Sequence, residues 1–336
     1  MWHFFNYEVI GRGHEQRNIP CQDKTYKFEY NGVSVISLAD GAGSAKMSHY
    51  GASRISEFVC KELAENFDAY YNDNDGINVK KRIIKVLLNE LDDLSQELKC
   101  DIKNLASTML FVAVKEDAFI IGHIGDGIIG YMKNQELKVA TYPCNGEFAN
   151  TTVFVTSENA ITSFQLLKGK RNNIINGFVM FSDGTGASFY DKKQKRIINS
   201  VKKLINLVRV SDSTTINKLI IDLFNDSIRN NTLDDCSIVI MAESDYEGFY
   251  SLGIREKMEL LSMPTYSQKS KRRIEYYQQI LKILESPCSI KDLSVLLHIQ
   301  QKYVVKKISK LIQLNLVSVC YGKYKSNLRF RRKNDE

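Results

Sequence analysis

The feature that most constrains this chain is an aspartate that ends an apolar run and is followed at once by glycine. The stretch SLADGAGSAKMSHYGA places Asp40 after small and apolar residues and before Gly-Ala-Gly. The arrangement recurs at Asp126 in GHIGDG and at Asp183 in FVMFSDG, and Asp234 and Asp235 stand directly before the apolar run CSIVIM. Four ends of predicted strands therefore carry carboxylates.

Carboxylates at strand ends can converge in space, and clustered carboxylates repel one another unless cations neutralise them. Such oxygen ligands select hard cations such as Mg²⁺ or Mn²⁺, and the adjacent glycines let the backbone approach closely and offer a carbonyl as a further ligand. Taken singly, each Asp-Gly pair is also a common turn that caps a strand. Taken together, the order and the strand contexts of these residues favour a metal site lined by carboxylates.

The apolar periodicity predicts an α+β fold. Helix-spaced apolar residues predict one helix from Ala52 to Phe67, another from Val79 to Leu98, and two more over 192–209 and 213–229. Because the first two helices follow each other without an intervening strand, the order favours a sandwich over strict βαβ alternation. Short β-branched runs predict strands at 33–40, 107–114, 117–125, 151–157, 177–183 and 236–242.

Charge is unevenly distributed along the 336 residues. Residues 250–336 contain 18 Lys and Arg against 7 Asp and Glu, a balance of +11, whereas the whole chain carries +7 and residues 1–249 therefore carry −4. An acidic body with a basic tail indicates two domains with different partners. We expect a body over residues 1–245, a linker over 246–270 and a small domain over 271–336.

The composition indicates an ordinary globular protein of a reducing compartment. The hydrophobic share is 43% and the charged share 25%, as in typical soluble domains. No apolar run approaches the ~20 residues that a membrane span needs, and the start MWHFFNYEVI lacks the basic region and cleavage site of a signal peptide. Seven scattered cysteines without a CxxC pair argue for reduced thiols. We expect a cytoplasmic protein without a membrane partner.

Six short motifs resemble, in order, those of the metal-dependent protein phosphatase 2C family. The first is similar to the opening motif of a bacterial subgroup with a His followed by Pro-Cys-Gln-Asp. Each motif alone is weak, but their order and spacing are specific, and the resemblance spans residues 6–243. The motifs are GRGHEQRNIPCQD (11–23), ADGAG (39–43), AST (106–108), IGDG (124–127), FSDG (181–184) and DDCSI (234–238).

The resemblance implies a fold of two packed antiparallel sheets flanked by pairs of helices, with a site for two Mn²⁺ or Mg²⁺ ions at one edge. It implies that Asp40 bridges both metals and that the Gly41 carbonyl binds the second. Asp183 and Asp234 would complete the first metal site. Asp126 matches the position that binds a third, looser metal.

The first motif departs from the family pattern around this site. Many relatives have Glu before the motif's aspartate, where this chain has Gln22, so the second metal is expected to bind more weakly. Asp23 would hold water beside the metals. The family's phosphate-binding arginine has no counterpart in register, which leaves Arg12 and Arg17 as candidates. His14 belongs to the subgroup motif, and its role is open between a phosphate contact and a hydrogen bond that fixes the loop.

The resemblance implies a phosphoserine/phosphothreonine protein phosphatase that acts on a phosphorylated protein through water activated at two metals. Two alternatives stay open: a nucleic-acid-binding regulator whose phosphatase body senses phosphorylation with little turnover, and a phosphohydrolase that acts on a nucleotide or another small phosphoester. Intact Asp40, Asp183 and Asp234 favour the active phosphatase over the sensor, because a decayed enzyme usually loses a ligand.

The basic tail resembles a winged helix-turn-helix domain. Apolar spacing predicts helices over 272–285, 289–299 and 300–316, followed by a strand LVSVCYG and a basic ribbon KYKSNLRFRRK. The third helix of such a domain enters the DNA major groove and the ribbon holds the backbone. The alternative is a domain for protein docking or dimerisation with a solvated basic face. The residues expected to touch DNA or RNA are Gln300, Gln301, Lys302 and Lys306 on the helix and Lys323, Lys325, Arg329, Arg331 and Arg332 on the ribbon.

Overall fold

The chain divides into two compact units in the computed structural model. The N-terminal unit comprises Trp2–Lys202 and Ile221–Met241, and the C-terminal unit comprises Lys203–Ile220 and Ala242–Glu336 together with Met1. The chain passes for the last time from the N-terminal to the C-terminal unit at Ala242, close to the predicted domain boundary at residue 245. The grouping of residues 203–220 with the tail was not predicted. The structure describes residues 1–143, 152–211, 213–243, 248–250 and 252–328.

The described elements that lie wholly within the N-terminal unit are runs of strands separated by helices. Two helices and one strand have residues in both units: α6 (Asn199–Val210), α7 (Ser213–Leu223) and β12 (Cys236–Glu243). The other strands and α-helices are, in chain order, β1 (Trp2–Val9), α1 (Arg12–Gln16), β2 (Asp23–Tyr30), β3 (Val33–Asp40), α2 (Ser48–Tyr71), α3 (Gly76–Leu98), β4 (Met109–Lys115), β5 (Ala118–Ile124), β6 (Ile128–Lys133), β7 (Glu136–Thr141), α4 (Ala160–Ser163), β8 (Gln165–Lys170), β9 (Ile175–Phe181), α5 (Asp183–Phe189), β10 (Tyr190–Asp191) and β11 (Arg196–Ile197).

Two antiparallel five-stranded sheets pack face to face in this unit. One has the strand order β2-β3-β4-β5-β8 and the other the order β1-β12-β9-β6-β7. In β3, Ile36 and Leu38 belong to the apolar cluster between the sheets, while Val35 and Ala39 belong to the cluster on the opposite face, as the two-residue period of a strand requires. This architecture confirms the predicted α+β fold of two packed antiparallel sheets.

Helices α2 and α3 cover the outer face of the sheet that contains β3. The predicted stripe of α2 is buried in that cluster, from Ala52 through Phe67. The Asp75 side chain begins α3 by accepting hydrogen bonds from the N–H groups of Ile77 and Asn78, as an N-cap residue does. The apolar residues that repeat at helical spacing in both helices are therefore core residues, as predicted.

Three predicted elements of the N-terminal unit are wrong in type or extent. Residues 152–157 form an isolated bridge and turns instead of a strand, and residue 151 lies outside the described residues. Strand β9 ends at Phe181, so Asp183 begins a helix and does not end the strand. The helix predicted over 192–209 begins only at Asn199.

A short hairpin, β10–β11, occupies the start of that predicted helix. The Asp191 side chain accepts hydrogen bonds from the N–H groups of Lys193 and Gln194, both at 3.0 Å. An aspartate bonded to the backbone two and three residues later favours a turn over a helix interior. This local competition explains why the charged run at 191–196 is not helical.

The C-terminal unit carries the predicted order of helix, helix, turn, helix and hairpin. Ser289 accepts a hydrogen bond from the N–H of Asp292 and so begins α10, as expected from the sequence. The elements are α8 (Ile254–Leu260), α9 (Gln268–Ile283), α10 (Ile290–Leu296), α11 (Gln301–Gln313), β13 (Val317–Cys320) and β14 (Lys323–Ser326), with an isolated bridge between Cys288 and Tyr324.

Helix α8 falls inside the predicted linker of residues 246–270. Its residues Glu256 and Lys257 are buried, and the Glu256 side chain accepts a hydrogen bond from the Gly253 N–H at 2.7 Å. Part of the expected linker is thus packed structure.

None of the helices that the structure describes is long and apolar enough to span a membrane.

Candidate active site

Four of the predicted aspartates line one cleft in the N-terminal unit. Asp40 is the last residue of β3, Asp126 follows β5, Asp183 is the first residue of α5, and Asp234 precedes β12. The strand ends bring these carboxylates together around a cleft of about 540 Å³. The backbone of Gly41 also lines the cleft.

The electrostatics of the cleft show that these carboxylates act on one another. Burial, followed by the charges of Asp23, Asp183 and Asp234, raises the pKa of Asp40 well above its ordinary value. Asp183 faces the cleft, yet the surrounding protein and the charge of Asp126 raise its pKa to about 7. Burial raises the pKa of Asp234 in the same direction. Ionisation of the group is therefore costly without a compensating positive charge.

Asp23 lies directly beside Asp40 and deeper in the protein. The two residues are paired in the register of β2 and β3, and Asp23 is 1% exposed. Burial raises the pKa of Asp23 to about 8, an effect that the nearby hydroxyls of Ser182 and Ser237 partly offset. Neither carboxylate oxygen of Asp23 has a hydrogen-bond partner of good geometry among the described residues. Buried polar atoms without a partner mark a position for water or an ion.

The donor set fits divalent cations in its chemistry. It consists of the carboxylate oxygens of the four aspartates, together with a backbone carbonyl at Gly41, and such oxygen atoms are the ligands of Mg²⁺ and Mn²⁺. A Cβ at residue 41 would lie 2.8 Å from the side chain of Ser48, so only glycine allows this approach. Among the described residues, no three His, Cys, Asp or Glu side chains form a complete ligand set. To hold a cation in this cleft, the carboxylates would have to turn towards it.

Asp126 has one fixed partner. The Thr152 hydroxyl donates a hydrogen bond to Asp126 Oδ2 at 2.6 Å, which leaves the other carboxylate oxygen for the cleft. This arrangement is compatible with the looser third metal that the resemblance implies at Asp126.

Asp235 organises the first motif, a role that was not predicted. Its carboxylate accepts hydrogen bonds from the N–H groups of Gly11 and Gln22, both at 2.6 Å. His14 Nδ1 lies 3.0 Å from Asp235 Oδ2, although the angle is not that of a hydrogen bond. The sequence signal was the adjacent pair Asp234 and Asp235 ahead of a strand, where successive side chains face opposite ways.

The structure separates the two predicted phosphate-binding arginines. The Arg12 guanidinium donates hydrogen bonds to the backbone carbonyls of Asn230 and Thr232 and is absent from the lining of the cleft. Arg17 is exposed, lines the cleft, and uses its Nε to donate to the Gly13 carbonyl. His14 also lines the cleft. Arg17 is thus the arginine of the first motif that a bound phosphate can reach.

Gln22 presents an unpaired oxygen to the site. Its Nε2 donates to Ser48 Oγ at 2.7 Å, whereas its Oε1 is buried without a partner among the described residues. Because affinity for hard cations follows the number of charged ligands, Gln22→Glu should lower the Mn²⁺ concentration for half-maximal rate by about threefold to tenfold. Gln16→Glu, which adds the same charge at an exposed position that does not line the cleft, is the control. An unchanged or weaker metal dependence in Gln22→Glu contradicts the placement of this side chain at the metals.

The predicted nucleic-acid contacts lie on the surface of the C-terminal unit. Gln301, Lys302 and Lys306 are exposed on α11, and Lys325 is exposed on β14. Gln300 precedes α11 and Lys323 begins β14. The other three predicted residues, Arg329, Arg331 and Arg332, lie outside the described residues.

A family model for protein phosphatase 2C matches residues 10–221. The chain belongs to the protein phosphatase 2C family. The match includes the segments that carry Asp23, Asp40, Asp126 and Asp183, and Asp234 follows it. Phosphatases of this family use Mn²⁺ or Mg²⁺, which agrees with the predicted metals.

Individual relatives agree with this assignment. Serine/threonine-protein phosphatase 3 of Escherichia coli K12 is 26% identical over 172 residues, which cover 49% of this chain and 66%, just under two thirds, of that protein. The crystal structure of the serine/threonine phosphatase Stp1 from Staphylococcus aureus shares the fold with a TM-score of 0.51 at 18% identity, over 73% of this chain and 96% of that one. The S. agalactiae serine/threonine phosphatase gives a TM-score of 0.50 at 18% identity, over 73% and 100% of the two chains.

Proposed function

We propose that the N-terminal unit is a metal-dependent phosphoserine/phosphothreonine protein phosphatase. The observation that carries the proposal is the convergence of Asp40, Asp126, Asp183 and Asp234 on one cleft, with raised pKa values at three of them. The relatives named as serine/threonine phosphatases support the substrate class.

The proposed ligands divide between two principal metals and a weaker one. Asp40 would contact both principal metals, with the Gly41 carbonyl on the second and Asp183 and Asp234 on the first. Asp126 would hold the third. Divalent cations in this position lower the pKa of water and offset charge on a transferring phosphate. Arg17 binds phosphate oxygens at the mouth of the cleft.

Asp23 positions water from beneath the site. Asp23 pairs with Asp40 in the register of β2 and β3, so the two side chains lie on the same face, and both of its buried oxygens lack a hydrogen-bond partner among the described residues. His14 stays beside Asp235, where it supports the loop that carries Arg17. The first motif thus supplies one group for water and one for phosphate.

The cysteines near the site are unsuited to a phosphocysteine mechanism. Burial raises the pKa of Cys236 to about 12 and raises that of Cys21 further. The thiolate, not the thiol, is the nucleophile, so neither cysteine is ready to attack phosphorus at pH 7. Hydrolysis by water remains as the route that these side chains support. We also propose a cytoplasmic location, on the ground of the seven scattered cysteines without a CxxC pair in the sequence.

A comparison of substrates tests the proposed class. The full-length chain with Mn²⁺ should release phosphate from phosphoserine and phosphothreonine peptides with kcat/KM at least ~10-fold above that for nucleoside monophosphates, because peptide contacts add transition-state binding. Faster hydrolysis of the nucleotides would instead support a small-molecule phosphohydrolase.

We further propose that the C-terminal unit is a winged helix-turn-helix domain that binds nucleic acid. The order of α9, α10, α11 and the β13–β14 hairpin supports the fold, and the bridge between Cys288 and Tyr324 adds a third strand position. The exposed lysines of α11 and β14 supply the positive charge that a phosphate backbone requires.

Sequence preference is the test that distinguishes this proposal from a protein-docking role. Binding at low salt alone is uninformative, because counterion release produces it with any basic surface. A base-reading α11 should favour some sequence over random DNA by about 10³-fold or more at physiological salt. Gln301→Ala should then reduce the ratio of affinities between the preferred sequence and random DNA. Lys325→Ala should weaken binding to all sequences alike and reduce the dependence of affinity on salt. No enriched sequence in a random library, with no effect of Gln301→Ala, would favour protein docking.

A further inference from the structure

A second cavity adjoins the metal cleft of the N-terminal unit. Asp126 and Asp183 line both cavities, so a ligand held in the cleft has this space as its immediate neighbour. The second cavity differs in charge, because its other polar side chains are two lysines and two tyrosines. It has a volume of about 340 Å³, and its remaining lining residues are Ile128, Tyr142, Pro143, Gly186, Tyr190, Lys192 and Lys195.

The two lysines lie on the β10–β11 hairpin, which is firmly anchored. Tyr190 pairs with Ile197 in the hairpin register, and Ile197 is 5% exposed. Ile197 packs so closely on β6 that a Cβ at Gly130 would lie 2.3 Å from its Cδ1. The turn between the strands therefore presents Lys192 and Lys195 at defined positions, with both side chains exposed.

Lys195 has a backbone conformation that is unfavourable for lysine. Its φ is 50°, in the left-handed region that favours glycine and asparagine. Lys195→Asn should therefore remove the charge without changing the backbone of the turn, which makes it suitable as a test substitution.

The two tyrosines complete a set of donors. The backbone of Tyr142 is clamped by Gln165, whose Oε1 accepts from the Tyr142 N–H at 3.3 Å and whose Nε2 donates to the Tyr142 carbonyl at 2.7 Å. Burial, followed by the neighbouring Tyr142 phenol, raises the pKa of Tyr190. The Tyr190 hydroxyl therefore stays protonated at pH 7 and can donate beside the lysine ammonium groups.

We infer that this cavity binds an anionic side chain, that of Asp, Glu or a second phosphoserine, which neighbours the target phosphoresidue in the substrate. The inference rests on the proposed phosphatase function. Ammonium and phenol donors together suit a carboxylate or a phosphate. An extended peptide advances about 3.3 Å per residue, so a residue next to the one in the cleft reaches the adjoining cavity. Lys192 and Lys195 thus determine substrate specificity, although the charge of Lys192 also acts on the Asp183 carboxylate.

The test compares three phosphoserine peptides that differ only in the residues flanking the target, which are Gln, Glu or a second phosphoserine. The full-length chain with Mn²⁺ should show kcat/KM about 10-fold higher for the Glu peptide than for the Gln peptide, as expected for charge-assisted contacts. In Lys192→Gln/Lys195→Asn this ratio should fall to about 1, since the contacts are lost. The phosphoserine-flanked peptide shows whether a second phosphate is preferred to a carboxylate.

Lys193→Gln is the matched control, because Lys193 lies in the same turn but does not line the cavity. It should keep the selectivity of the unsubstituted chain. Equal kcat/KM for the Gln and Glu peptides with the unsubstituted chain overturns the inference while leaving the phosphatase function intact. So does an equal loss of selectivity in Lys193→Gln, which would indicate general surface charge. No turnover of any peptide overturns the proposed function and this inference with it.

Discussion

Asp40→Asn should lower the rate of phosphate release by about 10³-fold or more at saturating Mn²⁺, which corresponds to roughly 4 kcal/mol of lost transition-state stabilisation. The reason is that Asp40 is the residue proposed to contact both principal metals, and a neutral amide cannot replace a shared carboxylate there. Asp183→Asn and Asp234→Asn should have similar effects. Asp126→Asn should raise the metal requirement and retain the principal pair.

The same substitution should make the metal-free protein more stable. The folded protein raises the pKa of Asp40, so the ionised group destabilises the fold at any pH above its ordinary range, and this cost disappears when pH falls below that range. Asparagine removes the charge without changing the shape of the side chain much. We therefore expect a higher Tm for Asp40→Asn than for the unsubstituted chain in EDTA at pH 7.

Asp93→Asn, an exposed position on α3, is the control for both measurements and should change neither activity nor Tm. Near-normal turnover in Asp40→Asn with Mn²⁺ saturating shows that the site is misassigned. Loss of activity together with a lower Tm in EDTA points instead to damage to the fold.

The second large effect is expected in the C-terminal unit, where Arg209 and Glu256 form a buried ion pair. Arg209 Nη1 lies 2.9 Å from Glu256 Oε1, and the side chains are only 7% and 4% exposed. Removing one partner of a buried pair leaves an uncompensated charge and costs about 3–5 kcal/mol. Arg209→Met should therefore lower the free energy of unfolding of the C-terminal unit by that amount, measured by urea unfolding of the full chain.

Two further variants separate the charge from the packing. Arg209→Met/Glu256→Gln should recover part of the loss, because glutamine is neutral and its amide oxygen can still accept the Gly253 N–H that Glu256 now accepts. Arg54→Met removes a half-exposed arginine that pairs with Glu90 and Glu97 and should cost at most about 1 kcal/mol. Equal losses for Arg209→Met and Arg54→Met would contradict the importance of the buried pair.

Local patterns explain which features could be predicted from the sequence. Strand β3 matches the predicted range 33–40 in full, because its two faces are both apolar and its end carries the Asp-Gly signal. Asp40, Asp126, Asp183 and Asp234 could be named because each stands at the edge of such a run.

Features that depend on distant residues were not accessible in this way. The role of Asp235 depends on N–H groups of Gly11 and Gln22, more than 200 residues earlier in the chain. The choice between Arg12 and Arg17 depends on the backbone near Thr232, which occupies one guanidinium and not the other. No local property of the first motif reveals either contact.

Misleading local patterns account for the remaining errors. The β-branched run at 151–157 satisfies the strand pattern, yet residues 153–157 pair with no strand among the described residues. Helix α8 is short, and its buried residues include Glu256 and Lys257, so its sequence lacks an apolar stripe. In both cases tertiary contacts outweigh the local pattern.

The most direct test of the central claim is phosphate release from a phosphoserine peptide by the full-length chain, measured across a Mn²⁺ titration and again in excess EDTA. We predict activity that rises with Mn²⁺, disappears in EDTA, returns when Mn²⁺ is restored, and is absent at every Mn²⁺ concentration in Asp40→Asn. Hydrolysis that continues undiminished in EDTA, or that Asp40→Asn retains, would contradict the claim that the converging carboxylates form a metal-dependent phosphatase site.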